Sequence, residues 1–421
     1  MDRRVLFASL ILFAGGATGV GVALFAFVGI DDGATDAEIV WESEPVAGDD
    51  GSGAVVATVD GDPLVIQSTL DDGDRVVRAT AVGGDVEWTT PVSGGEPAES
   101  DDDPPSISGL VSDTAGDDAH RVVAFTTGSG TLVVLDANDG TERFTADLGG
   151  DGGIPPAIGD LDADGNGEIA AVTTDGSALA FDPDGDGDAT FETDLDAPID
   201  RRPLIVEAGG RSDGGANSEG DEPDSESVHG LAVATAGGDE SAIHLLDGDG
   251  DARWTTTPSV TPLSWSAADT RSGPVLALGG TNGNLETIEV ADGSARYEIG
   301  LQDLPVAVGD ADPGRIHVGG AGSVWAVDLL DGEVVWKQQY GGETRVNAPG
   351  VADVDEDGEL GPVAVNRDGR VLVLNRNGEV TGRADISSVV YAAPSFADVT
   401  GDGSDEVLVV TEDGRVVALD G

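Results

Sequence analysis

The residues of this sequence best suited to chemistry are acidic segments with an oxygen-bearing side chain at every second position. The clearest runs over residues 160–168, with Gly165 for a sharp turn. Oxygen ligands at positions 1, 3, 5 and 9, with a backbone carbonyl at position 7, can surround a hard cation. The segment therefore predicts a calcium site formed by Asp160, Asp162, Asp164, Asn166 and Glu168. An EF-hand is excluded, because position 12 is Ala171 and no helical pattern flanks the loop.

Two more segments repeat this spacing nearer the carboxyl terminus. The second predicted site has a hydroxyl at position 3 and consists of Asp398, Thr400, Asp402, Ser404 and Glu406. The third has Gly361 at position 9, which leaves one ligand fewer, and consists of Asp353, Asp355, Asp357 and Glu359. All three segments lie between a proline-containing apolar segment and a valine-rich one. Acidic composition alone would not produce this shared phase.

Other acidic segments do not predict a cation site. Arg121 stands at position 9 of the segment that begins at Asp113, and residues 310–313 are cut short by a proline. The acidic runs at 182–186 and 247–249 fall at a later hairpin position, so we interpret them as turns.

No group of residues marks a catalytic site. The histidines lie in different units at no metal-ligand spacing; they are His120, His229, His244 and His317. No Gly-x-Ser-x-Gly motif indicates a nucleophilic serine, and carboxylate pairs are too frequent here to indicate acid–base catalysis. The sequence thus predicts no catalytic residues.

A turn glycine followed four residues later by an aromatic residue recurs along the chain. The pairs are Gly84/Trp88, Gly140/Phe144, Gly187/Phe191, Gly250/Trp254, Gly293/Tyr297 and Gly332/Trp336, and a seventh copy, Gly378/Gly382, lacks the aromatic residue. Short apolar runs precede these turns, and no segment after residue 30 has convincing helical periodicity. The pattern predicts units of three or four short strands joined by glycine- and aspartate-rich turns.

These units are expected to close into a ring. Trp41 is a further aromatic residue of this series, and the chain stops at Gly421, where the next strand should begin. Residues 38–43 would supply the missing strand of the last unit and leave no open sheet edge. Eight units over residues 38–421 give about 48 residues each, a period typical of propeller blades. The sequence predicts an all-β, eight-bladed β-propeller closed by the N-terminal strand, with acidic surface-loop insertions at 94–105 and 209–227.

The amino-terminal segment has the composition of a membrane anchor. Residues 5–30 carry no charge, follow Arg3 and Arg4, and would span about 39 Å as one transmembrane helix. No small-x-small cleavage site follows residues 23–26, so we expect a membrane anchor or uncleaved signal at 1–30 and a linker at 31–37. The two arginines favour an amino terminus inside the cell, so we expect the bulk of the chain outside it. They also resemble a twin-arginine signal; the export route and cleavage of the segment stay open.

Composition describes the solvent more than the partner. The 421 residues include 81 acidic and 20 basic ones, for a formal net charge of −61. This argues against nucleic acid as a partner, which needs a basic surface. At molar salt the Debye length is about 3 Å and surface carboxylates hardly repel, so we interpret the composition as the halophilic archaeal type. An acidic solvating protein is the alternative. Apolar residues at 39% suffice for a core, and the absence of cysteine excludes disulfides and thiolate metal sites.

The repeat resembles the quinoprotein-type (PQQ-like) propeller family, whose units carry Ala-x-Asp-x-x-Thr-Gly-x-x-x-Trp. Residues 326–336 match this motif with Asp331 in place of threonine, and residues 134–144 match it more loosely. In that family the aromatic residue packs the outer strand of one blade against the next, so the resemblance implies a structural role for the aromatic residues. The acidic loops resemble the calcium loops of integrin-like propellers, the FG-GAP/VCBS type.

These features lead us to expect a non-catalytic, membrane-anchored, extracellular propeller at a halophile cell surface. We expect it to be monomeric, to be stabilised by calcium, and to bind a protein or an envelope glycan. The alternative is a PQQ-dependent dehydrogenase. The absence of adjacent cysteines and of a haem motif argues against that enzyme and against PQQ as a cofactor. A glycan-active hydrolase or lyase is a third hypothesis, without a distinctive acid–base signal. The identity of the partner is not predicted.

Overall fold

The computed structural model describes residues 35–43, 45, 54–59, 61–92, 105–116, 120–208, 228–236, 241–301, 306–340, 344–354 and 358–420. Within these ranges the chain forms 33 β-strands in eight sheets and no helix. The expected anchor at 1–30, linker residues 31–34 and the insertions at 94–104 and 209–227 lie outside the described residues. In the described part, nothing has the helical length and apolar character that a membrane span requires.

Each sheet is a blade of antiparallel strands. Two strands come first in the chain, β1 (Thr35–Asp36) and β2 (Glu38–Glu42), and join later blades. Blade 1 contains β3 (Ala54–Val59), β4 (Asp62–Asp71), β5 (Asp74–Ala81) and β6 (Val86–Pro91). Blade 2 contains β7 (Val111–Ala115), β8 (His120–Thr126), β9 (Thr131–Asp136) and β10 (Glu142–Asp147). Blade 3 contains β11 (Ala157–Gly159), β12 (Glu168–Val172), β13 (Ser177–Phe181) and β14 (Ala189–Asp194).

The remaining blades continue in chain order. Blade 4 contains β15 (Leu204–Ala208), β16 (Val228–Thr235), β17 (Ala242–Leu246) and β18 (Ala252–Thr256). Blade 5 contains β19 (Pro262–Thr270), β20 (Gly273–Gly280), β21 (Asn284–Glu289) and β22 (Ala295–Gly300). Blade 6 contains β23 (Ala307–Asp312), β24 (Arg315–Gly319), β25 (Ser323–Asp328) and β26 (Val334–Gln339). Blade 7 contains β27 (Gly350–Ala352), β28 (Gly361–Val365), β29 (Arg370–Leu374) and β30 (Val380–Asp385). Blade 8 contains β31 (Ser395–Ala397), β32 (Glu406–Val410), β33 (Val416–Asp420) and, as its outer strand, β2.

The blades form a closed ring. First strands of successive blades contact each other from β3 to β27, Gly350 of β27 lies against Phe396 of β31, and the contact between β31 and β3 joins the last blade to the first. The outer strand of blade 8 is β2, which pairs antiparallel with β33 and places Ile39 opposite Leu419 and Trp41 opposite Ala418. The predicted eight-bladed, all-β propeller is confirmed, and the N-terminal strand completes its last blade.

The apolar cores lie between neighbouring blades. In β9, Leu132 and Val134 belong to the core shared with blade 3, whereas Val133 and Leu135 belong to the core shared with blade 1. All four side chains are at most 3% exposed. A strand covered on both faces needs apolar residues at every position, which explains the uninterrupted apolar runs of the sequence.

The turn glycines and aromatic residues join adjacent blades. The indole Nε1 of Trp254 in blade 4 donates to the carbonyl of Val290 in blade 5 at 2.7 Å. Its ring covers Gly293, where an added Cβ would lie 2.8 Å from Trp254 Cδ2. Trp88 and Trp336 likewise donate to carbonyls of the following blade, at 3.0 and 3.1 Å. The structural role that the resemblance implies for the aromatic residues is confirmed.

Blade 7, whose turn pair lacks the aromatic residue, gains a fifth strand instead. β1 pairs in parallel with β30 and places Thr35 opposite Gly382, and Ala37 N donates to Arg383 O at 2.8 Å. Residues 31–37 were expected to form a linker. The structure instead gives Thr35 and Asp36 a ladder, because the outer edge of β30 offers unpaired backbone groups.

Replacing Gly293 by alanine tests the packing between blades. Gly293 has φ +73°, and Gly314 has φ +90° with no atom near an added Cβ, so Gly314→Ala carries only the left-handed backbone penalty of about 1–2 kcal/mol. Gly293→Ala is expected to lower the free energy of unfolding by about 1–3 kcal/mol more, because its Cβ overlaps Trp254. Guanidinium denaturation of both variants measures the difference. Equal losses would show that the Trp254 contact is not tight.

Candidate functional site

The predicted cation loops lie on one face of the ring. Each joins the innermost strand of its blade to the second strand: residues 160–167 connect β11 to β12, 353–360 connect β27 to β28, and 398–405 connect β31 to β32. Hairpins between third and fourth strands reach the same side, because antiparallel strands alternate in direction. We call this side of the ring, formed by these two sets of connections, the loop face.

In blade 3 the loop is coiled by its own carboxylates. Asp160 accepts hydrogen bonds from the backbone N of Ala163 at 2.7 Å and of Gly165 at 3.1 Å. Asp162 Oδ1 accepts one from the N of the residue two positions on, at 3.1 Å. This coiling brings ligand oxygens of Asp160, Asp162 and Glu168 within 4.8 Å of one another. The same loop carries the other two predicted ligands, Asp164 and Asn166, whose hydrogen bond joins Asn166 N to Asp164 Oδ1 at 2.8 Å.

Glu168 is the electrostatic centre of this loop. Its Oε2 accepts a hydrogen bond from Leu161 N at 2.8 Å, so the first residue of β12 holds the start of the loop. Burial, and then the neighbouring carboxylates of Asp162, Asp164 and Asp160, raise the pKa of Glu168 to about 7. A divalent cation placed among these oxygens would relieve both costs, because it replaces like-charge repulsion with attraction.

Blade 8 has the same arrangement with a more deeply buried glutamate. Glu406 is only 2% exposed and accepts hydrogen bonds from Val399 N at 2.7 Å and Thr400 N at 3.2 Å. Ligand oxygens of Asp398, Asp402 and Glu406 lie within 4.8 Å of one another. The Thr400 hydroxyl donates to Glu406 Oε1 at 3.0 Å and so orients the glutamate. The hydroxyl oxygen keeps its lone pairs, through which Thr400 could still bind a cation. Ser404 N donates to Asp402 Oδ1 at 3.0 Å.

The loop of blade 7 is described only at its ends. Gly358 N donates to Asp353 Oδ2 at 3.1 Å, and Asp353 Oδ1 is buried with no hydrogen-bond partner among the described residues. Glu359 is exposed, and the predicted ligands Asp355 and Asp357 lie outside the described residues. The structure therefore leaves the ligand set of this third loop as a prediction. A cavity of about 520 Å³ lies between this loop and that of blade 8, lined by Asp353, Gly358, Phe396, Ser404 and Asp405.

Blade 4 supplies a neighbour to the first loop that sequence reasoning missed. His229 Nδ1 lies 2.9 Å from the carbonyl oxygen of Asp160 and 3.8 Å from its carboxylate, with 12% of the side chain exposed. Gly248 closes the other side, since an added Cβ would lie 2.6 Å from Asp162 Cβ. No sequence signal identifies His229, because it is 69 residues from Asp160 and meets it only across the blade boundary.

In blade 6 an arginine occupies the environment of the shortened loop. Arg376, from the hairpin of blade 7, places its Nε 3.7 Å from Asp312 Oδ2, and its Nη2 donates to Pro313 O at 2.9 Å. The Asp312 side chain is 1% exposed, and His317 Nε2 lies 3.4 Å from the same oxygen. The guanidinium of Arg376 thus lies beside the buried Asp312 carboxylate, at the position where the acidic loop of this blade is shortened.

The other acidic runs behave as the sequence predicts. At residues 182–186, Gly185 N donates to Asp182 O at 3.0 Å in the hairpin between β13 and β14. The run at 247–249 opens a similar hairpin, in which Gly250 N donates to Asp247 O at 2.9 Å. The interpretation of both runs as turns is confirmed.

The histidines are separated, with one correction. His229 and His244 both belong to blade 4, contrary to the expectation of different units, because residues 209–227 lengthen that unit in sequence. His244 lies between two threonine hydroxyls, 3.3 Å from Thr235 and 3.1 Å from Thr255. Burial lowers the pKa of His244. In the part of the chain that the structure describes, three potential metal-ligand atoms converge only in the loops of blades 3 and 8.

One family model matches part of the chain. Residues 239–421 match a PQQ-like repeat family described as "Outer membrane protein assembly factor BamB". The match supports the predicted resemblance to PQQ-like repeats over the carboxyl-terminal blades. No curated protein matches the sequence.

Solved structures share the fold at low sequence identity. BamB from Moraxella catarrhalis is 17% identical, with a TM-score of 0.58 over 91% of this chain and 98% of that one. Saccharomyces cerevisiae Sqt1 is 14% identical, with a TM-score of 0.60 over 92% and 98%. BBS1N, solved in complex with ARL6DN, is 15% identical, with a TM-score of 0.56 over 92% and 97%. These similarities establish the propeller fold alone.

If the loop of blade 3 binds a cation, the raised pKa of Glu168 should make that binding dependent on pH. Its folded pKa of about 7 exceeds the usual 4.5, so without a cation its contribution to stability is fully present below pH 4.5 and is lost as the pH rises through about 7. Binding below pH 7 must expel this proton, so calcium affinity should rise about tenfold per pH unit and level off above pH 7.

Calorimetric titration in an Asp402→Asn background, which weakens the blade 8 loop, measures this profile. Glu168→Gln is the control, because an amide cannot ionise, and its weaker affinity should be independent of pH. A wild-type loop with the same affinity at about pH 5.5 and about pH 8 would contradict the assignment of Glu168 as a ligand.

Proposed function

We propose that this protein is a non-catalytic binding scaffold that presents the strand connections of its ring to a protein partner. The distribution of residue types supports this proposal, because the interior is apolar and the polar clusters lie on the faces. Apolar residues fill the eight cores between blades, and the polar clusters described above lie in connections at the ends of the strands. A closed ring holds such loops in fixed positions, which lowers the ordering cost of binding.

The similar propellers are consistent with a binding role. BBS1N was solved in complex with ARL6DN, and the matching family description is that of an assembly factor. Because fold alone does not determine function, these similar propellers are an analogy only, and a binding role has to rest on the surface residues of this chain.

We propose calcium as the structural ion of the loops in blades 3 and 8, and less completely of blade 7. The convergence of Asp160, Asp162 and Glu168 supports the first site, and that of Asp398, Asp402 and Glu406 supports the second. Carboxylate oxygens in a flexible loop are the ligands that calcium prefers. The ion would secure the connection between the two innermost strands of each blade.

The location proposed for this scaffold rests on composition. The uncharged stretch at 5–30 supports a single amino-terminal anchor with the propeller outside the cell, and the net charge of −61 supports a high-salt environment. An envelope glycan is the alternative partner, and a PQQ-dependent dehydrogenase is the alternative activity.

Calcium should stabilise the folded chain by mass action. At a free concentration about 100 times the dissociation constant, each occupied loop adds about 2.7 kcal/mol to the free energy of unfolding. Asp402→Asn keeps an acceptor for Ser404 N but removes a negative charge. This variant should therefore lose most of the calcium-dependent gain in the free energy of unfolding that the blade 8 loop provides. Asp405→Asn, an exposed neighbour outside the predicted ligand set, should keep it. Guanidinium denaturation with calcium or chelator measures all three proteins; an unchanged wild type would exclude the calcium proposal.

Affinity capture on the full-length chain tests the scaffold proposal. In about 1 M salt, a protein partner from extracts of the source cells should be retained with calcium and released with chelator. In parallel, purified protein is mixed with the quinone and calcium and assayed for dye reduction. A bound chromophore with dye reduction would overturn the scaffold proposal in favour of the dehydrogenase.

A further inference from the structure

Two arginines and a tyrosine meet on the side of the ring opposite the loop face. This side, which we call the connection face, carries the turns between second and third strands and the links between blades. Arg345 lies in the link from β26 to β27, Arg367 in the turn from β28 to β29, and Tyr391 in the link from β30 to β31. Arg367 N donates to Arg345 O at 2.9 Å, and Val390 N donates to Arg367 O at 3.2 Å. Backbone hydrogen bonds thus hold three consecutive connections side by side.

The charges at this place run against the composition of the chain. Several arginines pair with a carboxylate, as in Arg143 with Asp184 at 2.6 Å and Arg296 with Glu289 at 2.6 Å, and others donate to backbone carbonyls, as Arg370 does to Tyr340 O at 2.8 Å. Arg345 and Arg367 instead neighbour each other, and among the described residues no carboxylate forms an ion pair with either. Burial and the adjacent Arg367 guanidinium lower the pKa of Arg345.

Two carboxylates close to this place accept hydrogen bonds from hydroxyl groups and form no ion pair with Arg345 or Arg367. Asp368 Oδ2 accepts a hydrogen bond from the Thr344 hydroxyl at 2.5 Å. Glu412 Oε1 accepts one from the Tyr391 hydroxyl at 3.4 Å. Arg345 and Arg367 are thus neighbouring cationic residues without an ion-pair partner among the described residues, and an external anion would offset their mutual repulsion.

The ring of Tyr391 provides an apolar surface beside Arg367. Its side chain is 53% exposed, and it is one of few exposed large hydrophobic residues among those that the structure describes. The Arg367 guanidinium carbon lies 5.2 Å from the centre of its ring. A guanidinium held over a ring face is attracted to it and can still offer N–H groups for bidentate hydrogen bonds.

We propose that Arg345, Arg367 and Tyr391 bind the carboxylates of an acidic peptide segment of the partner protein. The proposal rests on the scaffold function proposed above and names the chemistry of its partner. Each guanidinium fork matches one carboxylate, and the exposed tyrosine ring packs against the aliphatic stem of a glutamate. Tyrosine and arginine are also the residue types that carry the most binding energy at protein interfaces. The surrounding negative charge disfavours a dense polyanion and admits a short segment with few charges.

Fluorescence anisotropy on the full-length chain tests this site with a labelled peptide of four glutamates and a matched peptide of four glutamines. The wild type should bind the glutamate peptide about tenfold more tightly than the glutamine peptide, and more weakly as salt rises. Arg345→Gln/Arg367→Gln should remove this preference. Arg367→Lys, which keeps the charge and loses the fork, should weaken binding several-fold.

The matched control is Arg78→Gln/Arg201→Gln, which removes the same charge from two arginines paired with Asp71 and Asp200. Its affinity for the glutamate peptide should stay within about twofold of the wild type. Equal losses in both double variants, equal binding of both peptides, or displacement by inorganic phosphate at lower concentration than by glutarate would overturn the proposal. The last outcome would indicate a phosphate site.

Partner capture separates this site from the scaffold function. A protein partner captured equally by wild type and Arg345→Gln/Arg367→Gln overturns the arginine site and leaves the scaffold function standing. Arginine-dependent peptide binding without any captured protein supports the site and contradicts the scaffold function.

Discussion

Coverage of both faces of every sheet is the constraint on which the rest of this structure depends. Residues of β9 alternate between the cores of two blade boundaries, Leu132 toward blade 3 and Val133 toward blade 1. No blade can therefore bury its apolar surface alone, and a row of blades with free ends would leave two uncovered faces. Ring closure solves this, and Trp41 of β2 packs in the core that joins blade 8 to blade 1.

Because the interior is used for packing, polar chemistry is displaced to the strand connections. At the loop face, blades 3 and 8 gather carboxylates around one point, whereas blade 6 sets Arg376 beside the buried Asp312. Both arrangements answer the same electrostatic need, since buried or clustered carboxylates require a positive charge nearby. In blade 6 the positive charge comes from Arg376. In blades 3 and 8 it would come from a cation bound from solution.

The two faces of the ring consequently differ in what they would attract. The loop face concentrates negative charge at Glu168 and Glu406, where a cation would fit. The connection face carries Arg345 and Arg367 next to an exposed tyrosine, where an acidic segment would fit. A scaffold with separate surfaces for an ion and a partner can be stabilised by the first without blocking the second.

The sequence by itself determined the number of blades, their aromatic contacts, the closing strand at Glu38–Glu42 and the two loops whose carboxylates converge. Those features recur once in every blade, so the phase of the turn glycines, aromatic residues and apolar runs in the sequence is enough to predict them. Only the tertiary structure decided that His229 meets Asp160, that Arg376 lies beside Asp312, that β1 extends blade 7, and that Arg345 adjoins Arg367. These contacts occur in single blades and do not recur with the repeat, so their pairing follows from how the sheets stack, which the repeat pattern does not encode.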